Sequence, residues 1–198
     1  MKMRTSSRFF TVPATDGKKN GDLIIWKSKS GQVWVETVIY TLIALVMIGA
    51  VLAFAVPKVQ EIQDKAIIEQ SINSINDINN VVLSVVQGGA GNKRIVEANI
   101  KKGLLKIDGV NNKIGFEMET SYVYSEPGKK INLGDIEAIT EKVSGAYKVT
   151  LTASYNYNIT YNGNDEEKSI DQSPVPYKII IENKGDVSGN TWIDMKLG

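Results

Sequence analysis

Residues 27–57 read KSKSGQVWVETVIYTLIALVMIGAVLAFAVP, and this stretch decides how the rest of the chain is understood. From Val33 to Val56 there are 24 residues and one charge, Glu36. At about 1.5 Å per residue, a helix of that length reaches about 36 Å, enough for a bilayer core of about 30 Å. A helix buried in a soluble core seldom stays this apolar for so long. Lys27 and Lys29 lie just before it, which predicts an N-terminus inside the cell and a C-terminus outside. Trp34 and Tyr40 suit the headgroup level.

Working outward towards the N-terminus, residues 1–30 show no period. Pro13, Gly17, Gly21 and scattered lysines break it, and a small apolar knot, Leu23–Trp26, interrupts it. Residues 1–31 carry seven basic side chains (Lys2, Arg4, Arg8, Lys18, Lys19, Lys27, Lys29) against Asp16 and Asp22, a net +5. The remainder carries 16 basic and 20 acidic residues, a net −4. A basic arm of this kind suits nucleic acid as well as a membrane flank. The apolar run beside it favours the flank, and no nucleic-acid partner is expected.

Towards the C-terminus, Pro57 is expected to kink or loosen the helix rather than end it, because a helical period resumes at once. Val59, Ile62, Ala66, Ile68, Ile72, Ile75, Val82 and Val86 recur mostly three and four apart, with Glu61, Asp64, Lys65, Glu69, Asn73 and Asn76 between them. This is an amphipathic helix. Gly88-Gly-Ala-Gly91 stops it. From Arg94 the period changes to two. In Tyr147–Tyr161 every odd position is apolar or aromatic and every even one is Lys, Thr, Ser or Asn, which predicts a strand, or two strands separated by a bend. Asn162-Gly163 predicts a hairpin turn after it. Leu104–Val110 and Lys113–Met118 flank Asn111-Asn112 as another hairpin. Tyr122–Tyr124, Ile136–Val143, Tyr177–Glu182 and Thr191–Leu197 add further strands. Turns are expected at Glu126-Pro-Gly, Ser144-Gly, Ser173-Pro and Lys184-Gly-Asp. The expected fold is α+β: a long hydrophobic and amphipathic N-terminal helix, then seven or eight antiparallel strands in a β-sandwich.

The chain has 198 residues, no Cys and no His. Disulfides and thiolate metal sites are thereby excluded, along with the commonest general base and metal ligand. No nucleophile–base pair and no phosphate loop stand out, so no enzymatic activity and no cofactor are expected. Asn158-Ile-Thr160 is a glycosylation sequon, with Asn158 on the wet face of its strand. The acidic turn Asn162–Glu167 lacks the ligand spacing of a calcium loop. Tyr155, Tyr157 and Tyr161 read as packing residues.

The order of features around residue 31 resembles the class III signal peptide of archaeal type IV pilins. In that family a membrane-embedded prepilin peptidase cuts before a Gln, and a Glu stands fifth in the mature chain. Here Gly31-Gln32 supplies the processing site, and Glu36 is fifth when Gln32 is counted first. Trp34 stands where the family often has Ser. Segments 101–109 (KKGLLKIDG) and 177–185 (YKIIIENKG) also resemble parts of such pilins. The resemblance implies a cytoplasmic leader over 1–31, a transmembrane and amphipathic helix over 32–87, and an extracellular pilin-like head over 92–198. It implies a single-pass membrane precursor that joins a surface filament. Its partners would be other pilin subunits, the prepilin peptidase, the assembly ATPase with its membrane platform protein, and membrane lipid. Glu36 would register one subunit against the next by pairing with a neighbour's new α-amino group.

Two other readings share most of these features. Ala53-Phe-Ala55 is a small-x-small pattern, so an ordinary signal peptidase would cut after Ala55 and release a secreted domain. The apolar run is longer than the roughly 7–15 residues of such signals, and the region before it would be very long. Alternatively the chain stays uncleaved as a membrane-anchored sandwich that binds a ligand or an adhesion target. An archaellin belongs to the same class as a pilin, and the pilin-like β segments favour the pilus.

Overall fold

A computed structural model describes residues 30–187 and 189–198, with side chains from Val33 onward. The expected leader falls on residues that lie almost wholly outside this range. α1 (Ser30–Gln87) is one helix of 58 residues, three longer at its start than the apolar pattern predicts. Pro57 does not end it. The chain leaves α1 at Gly88, whose amide donates to Ser84 O, and Gly89 and Gly91 take the positive φ angles that turn it.

Ten strands follow: β1 Lys93–Ala98, β2 Leu104–Asp108, β3 Lys113–Thr120, β4 Lys130–Leu133, β5 Ile136–Val143, β6 Ala146–Ser154, β7 Asn158–Tyr161, β8 Glu167–Asp171, β9 Tyr177–Val187 and β10 Asn190–Leu197. They form a four-stranded sheet in the order β1-β9-β10-β7 and a six-stranded sheet in the order β4-β5-β6-β3-β2-β8. The α+β arrangement and the mainly antiparallel pairing are as expected. β7 is the exception, running parallel to β10.

Several local expectations are corrected. The alternation over 147–161 does continue, but it spans two strands in different sheets, because the chain crosses over at Tyr155-Asn156-Tyr157. The Asn162-Gly163 turn forms, with φ of 51° and 78°, and Tyr161 and Asn164 exchange backbone hydrogen bonds across it. It does not make a hairpin, since the next strand, β8, pairs with β2 in the other sheet. Lys184-Gly-Asp lies inside β9 as a bulge: Asn183 faces Ile193 and Gly185 faces Trp192, which leaves Lys184 without a partner. Tyr122–Tyr124 is irregular, while β1, β4 and β8 form where no strand is expected.

Inward positions of the strands bury Leu105, Ile107, Ile114, Phe116, Val149, Leu151, Ile179, Ile181 and Ile193. Ile68, Ile75, Ile78, Val82 and Val85 of α1 belong to the same core. At about 1.5–3 kcal/mol for each fully buried side chain of this size, the helix is a large contributor to that core. The core over 92–198 is therefore shared between the strands and α1.

Candidate membrane anchor and assembly site

The first part of α1 has the composition of the bilayer interior and the exposure of a surface. The helix from Val33 is, by length and composition, long and apolar enough to cross a membrane. Its large apolar side chains stay exposed throughout, from Trp34 at 69% through Met47 at 63% to Phe54 at 72%. Polar groups here are satisfied within the helix. Thr37 Oγ1 donates to Val33 O at 2.9 Å, and Thr41 Oγ1 donates to Thr37 O at 2.8 Å. The Tyr40 hydroxyl donates to Glu36 Oε1 at 3.2 Å, one helical turn away. Glu36 is thus exposed on an apolar helix, and its only hydrogen-bond partner among the described residues is Tyr40. Gly31 and Gln32 lie in the helix's first turn, and the side chain of Gln32 falls outside the described residues.

The later part of α1 is fixed by polar contacts as well as by the core. Asp64 is its first buried residue. Lys102 Nζ donates to Asp64 Oδ1 at 2.5 Å; Ser121 N and Ser121 Oγ donate to Asp64 Oδ2 at 2.7 and 2.8 Å. Burial pushes this carboxyl's pKa up, but the Lys102 and Ser121 bonds outweigh burial and hold it below the ordinary carboxylate value. Gly103 permits the loop that delivers Lys102: its φ is +76°, and a Cβ there would lie 2.1 Å from Glu117 O. Higher up, the Tyr155 hydroxyl donates to Asn79 Oδ1, and burial pushes its pKa upward. Asn183 Nδ2 donates to Val85 O at 3.3 Å. Sequence reasoning missed this anchoring set, placing Asp64 among the solvated positions. The signal was present in the spacing 64, 68, 71, 75, 78, 82, 85, a stripe of alternating fours and threes in which every residue is buried.

Asn158 is half-buried, with Nδ2 3.4 Å from Asp165 Oδ1. Thr160, the third residue of the sequon, is 1% exposed and donates to Asp194 Oδ1 at 2.9 Å. Among the described residues no three acidic side chains converge on a metal-binding arrangement, those of the 162–167 turn included. No protein-family model matches the chain. Neither a curated protein nor a solved structure matches it.

Proposed function

We propose that the chain is the precursor of a structural subunit of an archaeal type IV pilus-like filament, cut before Gln32 by a prepilin peptidase and assembled through α1. The observation that carries this reading is the continuous exposure of an apolar helix bearing one carboxylate, Glu36, four residues beyond Gln32. Exposed apolar area costs about 25 cal/mol per Å² in water, so over the segment the penalty is on the order of 40 kcal/mol, and lipid or neighbouring helices must remove it. Glu36 discriminates between a plain anchor and an assembly helix. A carboxylate in a bilayer costs about 2.5–3.5 kcal/mol and is usually retained for a partner. Cleavage before Gln32 would create an α-amino group on the next subunit able to supply one. Lys27 and Lys29 favour an N-terminus in the cytoplasm and a head outside. The uninterrupted helix through Ala53-Phe-Ala55 supports keeping the apolar segment rather than removing it.

N-terminal peptide mass spectrometry on native membranes should find a mature chain starting at Gln32. A start at Val56 would support the secreted domain, and an intact Met1 the tethered one. Glu36→Gln should leave insertion and cleavage intact while abolishing filaments seen by electron microscopy, since breaking one half of a buried ion pair costs about 3–5 kcal/mol. Normal filaments from this variant would refute the pairing role.

A further inference from the structure

Beyond the proposed filament role, a cleft of about 550 Å³ opens where Asn79 and Leu83 of α1 meet the β4–β5 turn and the Tyr155-Asn156-Tyr157 crossover. This is within the usual range of about 300–1,000 Å³ for small-molecule sites. Its charges cancel, two lysines (Lys113, Lys130) against two carboxylates (Asp135, Glu137), and Lys130 Nζ already pairs with Glu137 at 2.9 Å. Lys113 and Asp135 add one further charge of each sign, so the cleft as a whole carries no net charge to select an anion or a cation. What remains is amide and hydroxyl: Asn79, Asn132, Asn156, Thr152 and Ser154, with two tyrosines and the exposed face of Leu83. Tyr155 is held by burial and by its hydrogen bond to Asn79, so its ring is positioned by the protein's own packing.

Amide groups match the paired donor and acceptor character of sugar hydroxyls, and aromatic and aliphatic surface matches the apolar C–H face of a pyranose ring. A neutral cleft of this size and chemistry fits a short, uncharged saccharide. We infer that the cleft between α1 and the β6–β7 crossover is a binding site for neutral saccharides of one or two rings.

The test uses the purified full chain in a detergent with no sugar headgroup, and saturation-transfer NMR with maltose, lactose and N,N′-diacetylchitobiose as probes. At least one should receive saturation, and inorganic phosphate should not displace it. Asn132→Ala, at an exposed edge-strand position, and Tyr157→Phe, which keeps the ring but loses the hydroxyl, should each weaken binding several-fold, and Tyr157→Ala at least tenfold. Val143→Ala, exposed outside the cleft, should leave it unchanged. Transfer to none of the three sugars, displacement by phosphate, or equal transfer in wild type, Asn132→Ala and Tyr157→Phe would each overturn the assignment. Filament formation plays no part in this readout, so its failure and the failure of the filament reading are separate results.

Discussion

Residues 33–63 and 64–87 of α1 are the same secondary structure in one uninterrupted element, yet they stand in opposite relations to the protein. In the first, Trp34, Leu45, Val46 and Phe54 are all exposed; in the second, Ile68, Ile75, Val82 and Val85 are completely buried. The polar residues invert as well. The carboxylate of the apolar part, Glu36, hydrogen-bonds among the described residues to Tyr40 of its own helix, whereas Asp64 is enclosed by Lys102 and Ser121 from the strands' connections. Hydrophobicity alone therefore does not decide burial. The second part is less apolar and better buried, because the strands supply a complementary surface there.

The strongest way to break this comparison is to separate the second part from the strands. A fragment of residues 92–198 should lack a cooperative thermal transition and should bind a hydrophobic dye, because five buried helix side chains of the shared core are gone. Residues 60–198, which keep Asp64 and everything after it, should unfold cooperatively. Cooperative unfolding of both would show that the strands need no helix.

A sharper version uses two isoleucines of the same helix. Ile75→Ala should destabilise the 60–198 unit by about 2–5 kcal/mol in urea denaturation, since it leaves a cavity. Ile48→Ala in the full chain should change unfolding of the strands by under about 0.5 kcal/mol, because Ile48 is exposed. Similar losses at both sites would erase the distinction.

A smaller effect is expected at the polar boundary. Asp64→Asn should cost about 1–3 kcal/mol, below the usual loss for a fully buried pair because Lys102 retains access to water. The folded-state pKa of Asp64 is lowered, so its contribution is complete above the unfolded value near 3.9 and is lost as pH falls through the folded value. The gap between wild type and variant should stay level from pH 7 to about pH 5 and narrow below about pH 4. A gap undiminished at pH 2 would show that the charge plays no part.

How much of this was legible follows from what local sequence encodes. α1 was readable to within three residues at its start and to the residue at its end, because an apolar run and a Gly-Gly-Ala-Gly stop are contiguous signals. β5 was readable residue for residue as Ile136–Val143. The crossover at 155–157 was not, because the odd-even pattern continues through it while the backbone changes sheet. β8 was missed because its five residues bury a single large side chain, Ile170, too little for a period. Val59 and Ile62 fit the apolar period yet are exposed, while Asp64 breaks it yet is buried, its partners lying 38 and 57 residues away. The apolar helix and Glu36 were plain in the sequence, but the tyrosine-flanked cleft was not, since only the fold brings Asn79, Asn132 and Tyr157 together.

The parallel pairing of β7 with β10 has a consequence in time rather than in space. β10 lies between β9 and β7, so the four-stranded sheet is assembled around the strand that comes last in sequence among the described strands. β7, synthesised some thirty residues earlier, has no other strand to pair with in that sheet. Until β10 arrives, Ile159 and Thr160 have no place to be buried, and Asp194 is not yet there to receive the Thr160 hydroxyl. Closure that depends on so late a segment delays folding behind chain delivery. The six-stranded sheet, complete by Asp171, can therefore form before β10 is made, whereas the four-stranded sheet closes only when β10 enters the gap between β9 and β7.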